Sequence, residues 1–389
     1  MRILYHHRTQ GEEPESIHIT AIVDALTGLG HEVRIVGPAP VQHKATEVSK
    51  VSLLGRIKKR APRLAFELMQ LGYNLVVYRR LAKEIDDFKP DLIYERYALF
   101  NFAGVRLAKR RTIPLILEVN TPYAQAWAKY YGLYLKRLAR WIERKTFLAA
   151  DHIITVTKVQ QGMLEQEGVP RANISVCHNA IDPDWFHPER HRDSALRESL
   201  KLAPVVVGFV GTMNRWQGMT DFPDVLRSVL SRCPDACFLF VGDGEFRKPL
   251  EDFCRSEGYA ERAVFAGRQP HAEVPRLVAQ MDITVLLNSN AYGSPMKIFE
   301  YMGMRKAIVA PSVGPVMEIM ADGETGLLIE PGDAGQMAEQ IVRLVSDPAL
   351  RQRLARNGRD YVEKRHTWRQ NALKILEIQD MLKNKARAC

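Results

Sequence analysis

Short apolar runs, many of them β-branched, alternate along the whole chain with stretches whose apolar positions recur every third or fourth residue. That alternation predicts parallel strands joined by crossover helices, an α/β chain. Strand candidates in the first half are residues 2–6, 32–36, 92–95, 114–119, 153–156 and 174–178. Between the first two, Ile19, Ile22, Val23, Leu26 and Leu29 share one helical face, with Ser16 expected as the cap and Gly30 as the stop. A polar, proline-marked connector follows at 182–190, after which the pattern restarts with strands at 205–210, 237–241, 264–265, 283–287, 307–310 and 326–329. A last helix, opened by Thr367 with Gln370 as its capping partner, carries Trp368, Ile375 and Leu382.

At 389 residues the chain exceeds what one core usually serves, so two domains are expected. Two doubly wound domains facing each other imply a cleft, with ligands beyond the C-terminal strand ends. A hydrophobic share of 46% excludes a disordered chain. No apolar run reaches the roughly 20 residues that cross a bilayer. The opening residues Met1 to Arg8 lack the apolar centre of a signal peptide, so a cytoplasmic chain, at most peripheral on the inner membrane face, is expected. The five dispersed cysteines read as small buried fillers in a reducing compartment, and the Cys233/Cys237 spacing does not make a zinc site.

Charge changes the picture further. The net charge is +10, and residues 1–180 hold all of it, with 27 basic against 17 acidic side chains, while the remainder carries 28 of each. Ten basic and four acidic residues lie between Lys50 and Lys89, including the basic run 56–60. Six basic and one acidic lie between Lys129 and Lys145, threaded with Tyr130, Tyr131, Tyr134, Leu138 and Trp141. Basic helices carrying aromatics and leucines suit an anionic membrane surface; the same segments also fit solvated helix faces. No nucleic-acid reading motif accompanies them.

The sharpest chemistry lies at 292–303, Tyr-Gly-Ser-Pro-Met-Lys-Ile-Phe-Glu-Tyr-Met-Gly, directly after a strand. Ser294 is the expected N-cap and Pro295 the first helical residue, so the N–H groups beyond them, with Met296 in that turn, offer an anion site. Lys297 adds a full charge in that turn, and Glu300 follows three residues later on the same face, placed to take both hydroxyls of a ribose. A plain Lys297–Glu300 salt bridge fits the same spacing. The Asp-x-Asp at 182–184 and the partial fingerprint at 242–244, with Arg247 in place of its third glycine, carry no such context.

This segment resembles the donor signature of the family-4 glycosyltransferases, and specifically the Ser-Pro-x-Lys-x-Phe-Glu-Tyr-Met form of its exopolysaccharide and envelope branch; Tyr292 stands where relatives carry a first glutamate. His178-Asn179-Ala180-Ile181-Asp182 with Phe186-His187-Pro188 is similar to the family's connector. Gly211-Thr212-Met213-Asn214-Arg215-Trp216-Gln217-Gly218 is similar to its phosphate loop, with Thr212 and Gln217 in place of the usual Arg and Lys. Gly242 with Asp243 and Gly244, and Gly267 with Arg268, match two further donor-domain turns. The resemblance implies a GT-B fold of two Rossmann-like domains: an acceptor-side domain over 1–184, a donor domain over 185–364, and a helix at 365–389 returning to the first. It implies a retaining transfer of a hexose-type sugar from a UDP- or GDP-type donor, with no essential metal. With the basic first half, it points to a lipid-linked or polysaccharide acceptor at the membrane surface. Lys297 and Arg215 would neutralise the departing diphosphate. Gly211, Thr212, Gln217, Gly242, Gly267, Arg268, Tyr292, Gly293, Ser294, Pro295, Met296 and Glu300 would line the donor. In the first half, Gly11 stands near the donor phosphates beside Glu12, Glu118 and Asn120 occupy the cleft-lining loop, and His6, His7, Glu95 and Arg96 end neighbouring strands; loop hydrogen bonding fits these last positions equally. A nucleotide-sugar epimerase of the same fold, or an inactive binding protein, are the competing readings.

Overall fold

The computed structural model describes residues 1–9, 13–38, 63–122, 124 and 132–388. Gly11, the basic run 56–60, Lys129, Tyr130 and Tyr131 lie outside the described residues. The chain divides into two units, parting between His178 and Asn179 and again between Thr367 and Trp368.

The first unit holds β1 (Arg2–His6), β2 (Glu32–Val36), β3 (Leu92–Arg96), β4 (Leu115–Val119), β5 (His152–Thr155) and β6 (Ile174–Val176). They form one parallel sheet in the order β2-β1-β3-β4-β5-β6. Every residue of β3 and β4 is buried, as befits strands covered on both faces. The helices are α1 (Glu13–Gly28), α2 (Arg63–Phe88), α3 (Ala103–Arg111), α4 (Lys136–Ala149) and α5 (Lys158–Gln166). Ser16 is not the cap expected of it: α1 starts at Glu13, and the Ser16 hydroxyl finds no partner. Pro14, which has no N–H to satisfy, suits the first turn and lets the helix begin earlier. The C-terminal helix Trp368–Ala388 belongs to this unit and packs on α1. Trp368 stands edge-on to His18 at 4.8 Å, and Gln379 donates to the Asp91 carbonyl at 2.9 Å.

The second unit holds β7 (Val205–Val210), β8 (Ala236–Val241), β9 (Ala263–Gly267), β10 (Ile283–Val285), β11 (Ala307–Pro311) and β12 (Leu327–Ile329), parallel in the order β12-β11-β10-β7-β8-β9. Its helices are α6 (Ser194–Ser199), α7 (Phe222–Arg232), α8 (Arg247–Ser256), α9 (Val274–Ala279), α10 (Met296–Gly303), α11 (Gly314–Met317), α12 (Ala334–Ser346) and α13 (Pro348–Arg365). Alternation along β7 splits the core: Val205, Val207 and Phe209 pack on one face and Val206 on the other. Because β8 lies to one side of β7 and β10 to the other, the strand order reverses between β7 and β10. That is where a doubly wound sheet opens a crevice at its carboxyl edge.

The expected connector is part of this unit's packing. Phe186 is buried, and Arg359 on α13 donates to the carbonyls of Pro183 (3.1 Å), Phe186 and Gly303 while pairing with Glu363. One guanidinium thereby ties the 183–186 segment to the end of α10. Replacing it with leucine leaves three carbonyls without their donor. Arg359→Leu is therefore expected to lower unfolding free energy by about 3 kcal/mol or more, read as a shift in urea midpoint.

Candidate active site

The carboxyl edge of the second sheet is built from glycines. Gly211 follows β7 at φ +140°, and its N–H bonds the Val241 carbonyl at 2.9 Å. Gly242, at φ +136°, donates to Gly267 at 2.8 Å, so the ends of β7, β8 and β9 are tied together by backbone alone. A Cβ on Gly242 would sit 2.0 Å from the Gly211 carbonyl oxygen, and one on Gly211 would meet the Lys297 amine at 2.6 Å. Only glycine meets both the torsion and the crowding.

Lys297, in the first turn of α10, reaches into this edge. Its Nζ donates to Gln217 Oε1 at 2.5 Å and stands 4.6 Å from the centroid of the Phe209 ring. A neutral amide and an aromatic face are weak substitutes for water, so burial drives the ammonium's pKa down to about 7, against a smaller upward pull from Glu300. The expected salt bridge to Glu300 is not what the structure shows: Glu300 Oε1 faces His271 Nε2 at 3.1 Å.

The start of α10 departs from expectation in one respect. Pro295, not Ser294, is the N-cap, and no side chain caps the helix. Ser294 is occupied elsewhere: its hydroxyl accepts from the Asn179 N–H at 3.3 Å and its carbonyl from Asn179 Nδ2 at 2.7 Å. Proline at the cap position leaves that segment extended (φ −76°, ψ 103°) and the first N–H groups without a side-chain acceptor. Tyr292 and Gly293 sit in a turn folded on Asn290, whose Oδ1 accepts both their N–H groups. Thr212, Arg215 and Arg268 are exposed on the loops after β7 and β9; the Arg215 N–H is held by Glu245 at 3.3 Å. Gln217 is buried beneath them at the amine of Lys297. Below this layer, the Tyr301 hydroxyl accepts the Val210 N–H at 2.8 Å and fixes α10 to the end of β7.

In the first unit, Glu118 ends β4 fully buried, at 1% exposure. It receives Arg96 at 2.5 Å, Tyr94 at 2.7 Å, Tyr5 at 3.5 Å, Asn120, and His18 at 3.3 Å. Burial alone would raise its pKa, but His18, Arg96 and the hydroxyls outweigh that and hold the carboxyl well below the usual range. Both oxygens are thus committed internally. Asn120 is half-exposed and bonded to Glu118. Glu95 and Arg96 are buried, and His7, fully buried against Gly37 with neither ring nitrogen bonded, falls to about 4 through burial first and the neighbouring positive charges second.

His271, Asn179, Asn290, Tyr301 and Arg359 were not singled out by role. Asn290 had a readable signal, a turn-forming Asn two residues before Tyr-Gly. The others act across long sequence separations and had none.

Two six-stranded parallel sheets with flanking helices, the second edged by glycines beside a helix start that carries a lysine, make the fold that of the GT-B glycosyltransferases. Residues 16–185 match the family described as Glycosyltransferase Family 4, and 204–347 match Glycosyl transferases group 1. The chain belongs to these family-4, GT-B glycosyltransferases. Among curated relatives it is 26% identical over 252 residues to alpha-D-kanosaminyltransferase of Streptomyces kanamyceticus, covering 63% of this chain and 65% of that one. It is 26% identical over 311 residues to a sulfoquinovosyl transferase of Arabidopsis thaliana, covering 78% and 59%. The chain thus spans somewhat under two thirds of either relative's length. Among solved structures, HepE of Anabaena in complex with UDP superposes with TM-score 0.72 at 18% identity, covering 98% of this chain and 100% of that one. Sucrose-phosphate synthase of Thermosynechococcus elongatus gives 0.76 at 18%, covering 99% and 100%. At such identities these structures speak for the fold.

Lys297 also makes a stability prediction. Its folded pKa of about 7 lies below the ordinary 10.5, so the folded state binds fewer protons. The resulting penalty is full below pH 7, shrinks as pH climbs, and vanishes above about 10.5. Lys297→Met is expected to raise the melting temperature at pH 7, with the advantage fading toward pH 10, as thermal unfolding across pH will show.

Proposed function

We propose that this glycosyltransferase moves a hexose-type sugar, with retention, from a UDP-type nucleoside diphosphate donor to a lipid-linked or polysaccharide acceptor at a membrane surface. The observation that carries the donor half is Lys297: a desolvated amine at the uncapped start of α10, pressed on Gly211 with only a neutral side-chain acceptor. An anionic diphosphate supplies what that position lacks. HepE was solved with UDP and with UDP-glucose, which supports a uridine nucleotide and a hexose as the first donors to test.

In this reading the bond from the sugar's anomeric carbon to the β-phosphate oxygen breaks. The acceptor oxygen bonds that carbon on the same face and passes its proton to the departing β-phosphate oxygen. Negative charge gathers on the leaving diphosphate, where Lys297, Arg215 and the first N–H groups of α10 meet it in place of a metal. Glu300, oriented by His271, takes the ribose hydroxyls, and the turns at Gly242, Gly267 and Arg268 face the base. Tyr292, Gly293 and Met296 bound the sugar side, with Thr212 and Gln217 flanking the phosphates. In the first unit Glu118 is a positioning residue that holds the side chain of Asn120.

Four outcomes are expected. Lys297→Ala lowers turnover by about 10²–10³, and unchanged turnover removes Lys297 from the reaction. In thermal-shift titrations UDP stabilises the chain more than GDP or ADP, and EDTA leaves turnover intact. The affinity for a UDP-sugar, which has no group of its own titrating near neutrality, depends on pH through Lys297: the bound anion raises the lysine pKa, so binding takes up a proton. Affinity is flat below pH 7 and falls toward tenfold per unit above it, a slope that calorimetry in buffers of different ionisation enthalpy will reveal and Lys297→Met will abolish.

A further inference from the structure

The first unit carries a surface that the donor chemistry does not use. Among the described residues, nine of the thirteen large exposed hydrophobic side chains lie on α2, on α4 or in the turn just before α4. On α2 they include Leu64, Leu68, Leu75 (69% exposed) and Val76, and the same side continues into Arg79 and Lys83. On α4, every exposed residue is basic or apolar: Leu138, Trp141 (60% exposed) and Leu148 stand among Lys136, Arg137, Arg140, Arg144 and Lys145. The one acid of α4, Glu143, is turned inward to Tyr97 and the Ala124 N–H. Of the acids of α2, one is buried and the rest, including the exposed Asp86 and Asp87, are paired with arginines at its far end. Glu67 is buried, and Glu84, Asp86 and Asp87 lie in the last turns, where Arg34 and Arg111 hold them. The two helices meet at their starts, where Glu67 accepts from the N–H groups of Tyr134 and Leu135 at 2.9 and 2.8 Å.

We infer that the exposed side of α2 and α4 is a docking face for an anionic lipid bilayer. Leucines at spaced positions, a tryptophan and a tyrosine in a field of cations match the headgroup boundary, where apolar side chains enter the acyl edge and Lys and Arg stay with the phosphates. A second copy of the chain is a poor occupant, because it would set this cationic face against itself. Nucleic acid would match the charge but has no counterpart for the leucines. Among the described residues no helix is long and apolar enough to cross a membrane, so the contact is adhesion to the surface. The inference deepens the proposed function, since it rests on the reading of a membrane-borne acceptor and says where that membrane sits.

The test is co-sedimentation of the full chain with phosphatidylglycerol–phosphatidylcholine vesicles against phosphatidylcholine alone, at low and high salt. Binding to the anionic vesicles only, weakened by salt, is expected. Each cation near such a surface contributes about fivefold in partition, so Arg137→Gln/Arg140→Gln/Lys145→Gln should lose on the order of a hundredfold. Leu68→Ser/Leu75→Ser/Trp141→Ser should sediment markedly less with the anionic vesicles than wild type. All six positions are exposed, and an unchanged melting temperature with a retained UDP shift shows that fold and donor site survive. Wild type left in the supernatant, equal binding to neutral vesicles, or variants that bind like wild type overturns the inference. So does a dimer, or a nucleic-acid complex, that the same variants dissolve while vesicle binding persists. Sedimentation needs neither donor nor acceptor, so failure here and failure of the transferase reading are told apart.

Discussion

A lysine amine held out of water at the end of a strand is the constraint around which the second unit is organised. Lys297 reaches Gly211 because the strand order reverses beside β7, where the loops after β7 and β10 diverge and the start of α10 can enter. Its approach forbids a side chain at 211, and the crowding of Gly211 forbids one at 242. Gln217 gives it one oxygen and Phe209 one ring, neither of which neutralises a charge. Beneath, Tyr301 and Arg359 fix the C-terminal part of α10, one through the Val210 N–H and the other through the Gly303 carbonyl.

The two units treat buried charge in opposite ways. Glu118 is as deeply enclosed as any ionisable group in the protein, yet five donors converge on it and its ionised form is favoured. Such a carboxylate is at rest and shapes the loop that carries Asn120. Lys297 is enclosed without a counter-charge in contact, and its ionised form is disfavoured. The difference lies chiefly in pairing. A fully paired buried ion makes a scaffold, whereas an under-paired one makes a place for a ligand of the opposite sign.

Charge is partitioned on the larger scale too. The second half balances its 28 basic and 28 acidic residues, many of them in exposed pairs such as Arg227–Glu257 and Arg232–Glu339. The first half keeps a surplus of ten. Part of what is described of that surplus lies with leucines and a tryptophan on α4 and the earlier turns of α2, while the exposed acids of α2, Asp86 and Asp87, stand in its last turn paired with Arg111 and Arg34. Charge held with apolar side chains on one side of a helix pair is the pattern on which the inferred docking to an anionic surface rests.

The strands were legible from sequence almost to the residue, because parallel strands buried on both faces must be continuous apolar runs and their helices must show a 3.6-residue period. The helix at 296–303 was legible for the same local reason, and a lysine three residues from a glutamate on it is set by helix geometry alone. Local rules failed where two chemically sound choices competed. Ser294 could cap its own helix or bind Asn179, and the partner far along the chain took it; Ser16 could cap α1 or fall inside it, and the helix began one turn earlier. Glu300 likewise faced Lys297 on paper and His271 in the fold. Sequence alone therefore determined the elements, their sidedness and the residues able to carry the chemistry, since these follow from periodicity and side-chain type. Only the tertiary structure decided which of those side chains were spent on internal partners and which were left wanting one, because hydrogen-bond satisfaction is settled by neighbours that no local window contains.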